Sequence, residues 1–323
     1  MRPAPLVAAA GSLLLAFGSA SVPMLSTGRV LCGVALGLAM AVGSSWLKEL
    51  SSPPFAPDTA SGTGARRSAM SLTGGFGVGA GVAGVLAQWG PWPGTLPYLI
   101  NVALCLAAAA WLLSAPETAA PQRNPGRLLD DLKIPAVSLH RFRLIALPVA
   151  LWLFTCSATA YAIMPTLMMP KVAGAPIAFS ALITVVTLGC GFGIQSMARR
   201  LDRPGTIRLP LLTLALVMIG MSLAAAASAT LSLWLAFATA MLLGAGYGIG
   251  LVAGLLEIER MARPDDLAGL TAVFYAVSYL GFALPAIMAV LHQDAGSSYP
   301  AMFLALVVAA IGCLTVVVRG RRA

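Results

Sequence analysis

The chain has 323 residues, 59% of them hydrophobic and only 10% charged, against roughly 25% charged in an ordinary globular domain. Charge-free stretches of this length exclude a soluble enzyme and point to a polytopic membrane protein. The net charge of +9 lies in short basic clusters between apolar runs, without interleaved aromatics, which excludes nucleic acid as a partner and fits loops at a bilayer surface.

Ten apolar segments follow in chain order: 4–20, 23–46, 68–88, 95–114, 144–165, 176–197, 209–227, 230–255, 268–291 and 299–318. None has the ~10-residue alternation of a barrel strand, so all ten are predicted to be transmembrane helices. The first admits two readings. Arg2 before it and Gly18-Ser19-Ala20 at its end suit either a span or a secretory signal peptide.

The second segment holds Arg29, an unpaired charge flanked on both sides by apolar residues. A charge at mid-bilayer costs ~2.5–3.5 kcal/mol on insertion scales. Arg29 therefore faces a bundle interior or water-filled cavity, or snorkels to the nearer interface, and its position leaves both open. Gly33 and Gly37 follow it at i, i+4. The third segment repeats the pattern with Gly75 and Gly79 and with Gly77 and Gly81, and the eighth with Gly244 and Gly248 and with Gly246 and Gly250. Small residues at this spacing let helix backbones approach closely, for static packing or for sliding. Gly79 to Gly84 also spells GxGxxG, but no strand precedes it and it lies inside one apolar helix, so a dinucleotide site is rejected.

The fourth segment contributes Asn101. The polar stretch 117–142, rich in proline and mixed charge, then divides the chain into an N-terminal bundle of four helices (1–116) and a C-terminal bundle of six (143–323). Part of this linker, around Arg127-Leu128-Leu129-Asp130-Asp131-Leu132, has an amphipathic pattern that could lie on the membrane surface, beside the plainer reading of a solvated linker. Beyond it, Trp152, Tyr161, Tyr275 and Tyr279 are the polar-tipped side chains best suited to line a solute path. Tyr275 and Tyr279 are spaced to share one helix face.

Eighteen of the 20 basic residues fall on one side when ten spans are threaded; Lys171 falls on the other and Arg29 within a span. The positive-inside rule then places both termini in the cytoplasm of a multi-pass plasma (cytoplasmic) membrane protein. No Asp or Glu lies within a span. His140 and His292 are the only histidines, and the five cysteines form no CxxC pair. That leaves no material for a metal site, a cofactor or catalytic residues, so no enzymatic activity is expected.

Four stretches together resemble the major facilitator superfamily, whose fold is two six-helix halves joined by a cytoplasmic loop. Arg29 with Gly33 is similar to the Arg-x-x-x-Gly of the family's fourth helix. Gly75, Gly79 and Gly84 fit its fifth-helix antiporter motif, with Ala80 in place of the proline and Ala83 in place of a glycine. Pro116-Glu117-Thr118 resembles the tripeptide at the end of the sixth helix. Asp202-Arg203-Pro204-Gly205 resembles the second-half loop motif, with Ala198 where a glycine stands.

The resemblance implies alternating-access transport of a small-molecule substrate, with efflux of a drug-like or metabolite solute in exchange for protons. It gives Arg29 a role in proton transfer or cavity electrostatics, and makes Asp202, Arg203 and Gly205 a gate at the inner face. It also implies that 4–20 corresponds to the family's third helix, so that the first two helices are missing from this chain. The alternative reading is a truncated, non-transporting membrane scaffold whose open side is covered by lipid or a partner.

Overall fold

The computed structural model describes residues 2–18, 21–59, 62–118, 140–172, 174–203, 205–263 and 266–321. Among these, every regular element is helical. The linker pattern around Arg127 lies outside the described residues. Helices α1 (Ala4–Phe17) and α2 (Val22–Leu38) are apolar but short; α2 continues through a π turn, Ala39–Gly43, into α3 (Ser44–Leu50). Then come α4 (Thr63–Trp89), α5 (Leu96–Leu113), α6 (Leu147–Ala158), α7 (Met164–Met168), α8 (Pro176–Leu201), α9 (Arg208–Thr230), α10 (Leu233–Met261), α11 (Leu267–Tyr279), α12 (Leu284–Ala295) and α13 (Tyr299–Gly320).

Eight helical runs among the described residues are long and apolar enough to cross a membrane: the helices of α4 and α5, Phe142–Lys171 around α6 and α7, those of α8, α9 and α10, Gly269–Ala295 through α11 and α12, and α13. At 1.5 Å per residue α1 is shorter than a ~30 Å hydrocarbon core, whereas the helical run from Val22 to Leu50 is long enough in total. Membrane embedding also explains which side chains face outward. Trp89, Trp92, Trp111 and Trp234 and many leucines and valines are exposed, and α5 buries no residue at all. Such a surface suits lipid, with the tryptophans near helix ends where the interface lies.

Helix irregularities have identifiable causes. The π turns Phe142–Ala146 and Thr159–Ile163 and the 3-10 turn Leu280–Ala283 each run into a helix with proline in its first turn, at Pro148, Pro165 and Pro285. Proline supplies no N–H and collides with the carbonyl one turn back, so the helix loosens just before it. The π turn Ala39–Gly43 has no proline behind it. Turns of this kind recur at functional sites.

Glycine decides where helices come closest. A Cβ built on Gly244 falls 2.0 Å from the Thr187 carbonyl oxygen, and one on Gly248 falls 2.2 Å from that of Gly191. The backbones of α8 and α10 are thus in contact, as the spacing of these two glycines allows. Gly248→Ala is expected to destabilise the protein by about 1–3 kcal/mol, since backbone rather than a flexible side chain must move. Gly246→Ala, whose nearest neighbour is the Leu216 Cβ at 3.4 Å, should change stability by less than about 0.5 kcal/mol. Thermal unfolding of the two variants in detergent checks the contrast.

On α4, Gly84 meets Ala181 (built Cβ 2.1 Å away), and Gly74, Gly77 and Gly81 also face α8, while Gly75 and Gly79 have nothing within 4 Å. The seam between the segments before and after the linker therefore uses Gly74, Gly77, Gly81 and Gly84. Gly33 and Gly37 likewise face open space.

Candidate functional site

The run from Val22 to Leu50 meets α11 through three successive contacts one helical turn apart. Tyr279 donates its hydroxyl to the Met40 sulfur at 2.9 Å, the Ser44 Oγ and Tyr275 hydroxyl lie 3.5 Å apart, and Lys48 Nζ donates to Thr271 Oγ1 at 3.4 Å. Residues 40, 44 and 48 ascend one helix while 279, 275 and 271 descend the other, so both sets use the i, i+4 face. The predicted pairing of Tyr275 and Tyr279 on one face therefore brings them to one partner helix, and the π turn at Ala39–Gly43 sits at that seam.

Aromatic rings extend the seam into the second part of the chain. Phe154 on α6 packs on Tyr279 and Phe282 with ring centroids 5.1 and 4.5 Å apart, and on Tyr247 at 6.2 Å. Tyr161, in the π turn Thr159–Ile163, is half-buried beside Ser157 and Tyr279. Tyr247 is buried with its hydroxyl beside Thr73 but without a hydrogen bond of normal geometry. Gln195 Nε2 donates to Thr73 Oγ1 at 2.7 Å, tying α8 to α4. The Oγ of Ser157, with the Tyr161 hydroxyl beside it, and the indole N–H of Trp152 are buried without a hydrogen bond of normal geometry. This is a region of hydroxyls and aromatic faces, equipped to bind by hydrogen bonding and stacking rather than by charge.

The charges collect at one end. Arg141 donates to the buried Glu257 through Nε at 2.7 Å and Nη2 at 3.2 Å, and Arg260 approaches Glu257 at 3.5 Å. Arg260 also pairs with Asp202, so the chain of charges reads Arg141, Glu257, Arg260, Asp202. The hydrogen bond to Glu257 pushes the Arg141 guanidinium above its already high value. Nearby, Trp46 Nε1 donates to the Pro116 carbonyl at 3.1 Å and Thr118 donates to Glu49, so the Pro-Glu-Thr tripeptide ties the end of α5 to α3.

Lys48, two residues past the apolar segment 23–46, is the residue the sequence reading missed. It is 2% exposed. Gly64 lets α4 cross directly over its backbone, since a Cβ there would fall 2.8 Å from Lys48 Cα. Burial lowers its ammonium to about 8, against which the charge of Glu259 on α10 acts more weakly to raise it. Glu259 Oε2 is itself buried and has no hydrogen-bond partner.

The remaining expected site residues are placed apart from this seam. Arg29 is exposed on α2, with no ion pair among the described residues. Asn101 donates to Ser12 Oγ at 2.8 Å, an α5 to α1 packing contact. Arg203 is exposed beside Arg200 and Arg208, and Gly205 takes a left-handed φ of 77° that closes the turn between α8 and α9. Asp202 is thus the part of its motif that pairs across helix ends.

A family model described as the Major Facilitator Superfamily matches residues 3–284. The chain belongs to the major facilitator superfamily. It is accordingly a multi-pass membrane protein of a transporter family and not an enzyme. The fold is similar to the crystal structure of the E. coli fucose:proton symporter FucP (N162A), with a TM-score of 0.65 and 16% identity over 99% of this chain and 82% of that one. No curated protein sequence gives a significant match.

Proposed function

We propose that the chain moves a small uncharged solute across the plasma (cytoplasmic) membrane by rocking of two bundles, 1–116 and 143–323, joined by 117–142. In this reading there are ten spans, the charged end that gathers Lys48, Arg141 and Arg260 faces the cytoplasm, and both termini lie inside. The observation that carries it is the ladder Met40–Tyr279, Ser44–Tyr275, Lys48–Thr271 between two helices on opposite sides of the linker. Its contacts are weak and separable, which suits a seam that must open and close.

Efflux of a drug-like or metabolite solute in exchange for protons is the direction supported by the resemblance of Gly75 to Gly84 to the antiporter motif. Proton-coupled uptake is the second reading, favoured by the similar fold of the fucose:proton symporter FucP.

The test is a reversible lock. The Ser44→Cys, Tyr275→Cys double variant, in a background without the native cysteines, is reconstituted into proteoliposomes with an imposed pH gradient. Flux is followed for a panel of tritiated neutral metabolites and the dye Hoechst 33342. Saturable flux that stops on oxidation and returns on reduction is the expected result, and the direction of the gradient that drives it distinguishes efflux from uptake. Flux that continues through the oxidised protein would remove the rocking mechanism. Absence of flux for every probe would favour the scaffold reading.

A further inference from the structure

A cavity of about 230 Å³ opens between the run from Val22 to Leu50 and α4, lined by Ala39, Gly43, Ser44, Leu47, Ser68, Ser71 and Leu72. Ser44, a rung of the ladder, forms part of its wall. Three of its seven lining residues are serines, and none is charged. Ser68 is 1% exposed and its Oγ has no hydrogen-bond partner of normal geometry, though the Tyr275 hydroxyl lies beside it. Ser44 is 3% exposed, and its single contact, at 3.5 Å to Tyr275, leaves its hydroxyl with capacity to spare. Ala39 and Gly43, which bound the proline-free π turn, form part of the wall.

A buried hydroxyl without a partner costs about 1–3 kcal/mol in stability, and the natural remedy is a ligand or water that hydrogen-bonds to it. Each serine hydroxyl both donates and accepts, as does each hydroxyl of a polyol, so the two match without a fixed charge pattern. A carboxylate or ammonium would be stripped of water here with no counter-charge in the lining. The volume corresponds to roughly eight waters and falls below the ~300–1,000 Å³ of pockets for drug-sized ligands.

We propose that this serine-lined cavity is a binding site for a small uncharged polyol, or for the polyol-like part of a larger uncharged solute. It deepens the transport reading by naming a solute class, but binding is testable without flux.

Ser71 lies at the exposed rim. A Ser71→Cys variant of the full chain, in a background without the native cysteines, is labelled with N-ethylmaleimide in detergent. The probes are erythritol and mannitol, with gluconate and glucosamine as charged relatives and water-filled, solute-free protein as reference. The expected result is saturable slowing of labelling by at least one of the two polyols and not by the charged pair. Ser68→Ala should weaken the protecting polyol's apparent affinity about fivefold, the loss of one hydrogen bond.

Leu72→Phe, which fills the cavity from its half-buried edge, should remove protection as well and serves if Ser68→Ala fails to fold. The proposal is overturned if neither polyol protects, if gluconate or glucosamine protects equally, or if whichever folded variant is tested keeps the wild-type apparent affinity for the protecting polyol. Protection by mannitol in protein that transports nothing would leave the site standing and remove the transport reading. Saturable flux with no protection at Ser71 would do the reverse.

Discussion

Replacing Glu257 by alanine is expected to lower the stability of the protein by about 3 kcal/mol, near the lower end for breaking a buried ion pair. Glu257 is 2% exposed and serves two cations, Arg141 through two hydrogen bonds and Arg260 at 3.5 Å. The loss stays near that end because the Arg141 side chain is 41% exposed and Arg260 29%, so both recover part of their hydration when the carboxylate is gone. Glu257→Gln keeps an acceptor for Arg141 and loses the charge, and should lie between wild type and alanine. The effect is largely insensitive to salt, since the carboxylate is shielded from bulk ions.

Thermal unfolding in detergent at low and high salt measures it. A loss below about 1 kcal/mol, or one that disappears in ~1 M salt, would mark the network as a surface pair of little consequence. Because Asp202 joins the same chain through Arg260, the variant should also loosen the turn after α8. Protease sensitivity around Arg203 reports that.

How much of this was legible beforehand varies with the physics involved. Apolar length is additive along the chain, and the apolar segments recur as helices with ends shifted by a few residues. The i, i+4 spacing of Tyr275 and Tyr279 told which face they share but could not tell which helix they would meet. Lys48 stands just beyond the apolar segment 23–46, where the local pattern marks only a segment end. Its burial depends on α4 crossing over it at Gly64, a long-range event with no local signal.

Arg29 illustrates the converse. Apolar neighbours fix its depth, but only the packing of α2, which leaves this face uncovered, decides its surroundings. Glycine spacing marked α4 as a contact helix, yet Gly75 and Gly79 and the Gly77 and Gly81 pair fit the same rule on different faces. Only the second faces α8. Asp202 was readable as a pairing residue from its motif, while its partner Arg260 lies 58 residues away and belongs to no pattern with it.

Replacing Lys48 by methionine is expected to stabilise the protein at about pH 7 by ~2 kcal/mol, and the gain should fade as the pH rises. Lys48 is buried, and burial depresses its ammonium from 10.5 to about 8. The sign follows from proton counts. Between about pH 8 and 10.5 the unfolded chain holds a proton on this lysine that the folded protein has shed, so wild-type stability rises with pH across that window. Below about 8 both states are protonated and the full burial penalty is present, of order 3 kcal/mol for this shift.

Methionine removes that penalty while keeping much of the side-chain volume, and forfeits the hydrogen bond to Thr271, worth about 1 kcal/mol. Lys48→Arg cannot shed its proton and should stay less stable than wild type at about pH 10. Glu259→Gln removes the charge that holds the Lys48 ammonium up, so it should lower stability at neutral pH, and should do so only while Lys48 is present. Stability curves for the single and double variants at about pH 7 and 10 decide the matter. A Lys48→Met gain that is equal at both pH values would mean that the ammonium is hydrated in the folded protein and that its burial carries no penalty.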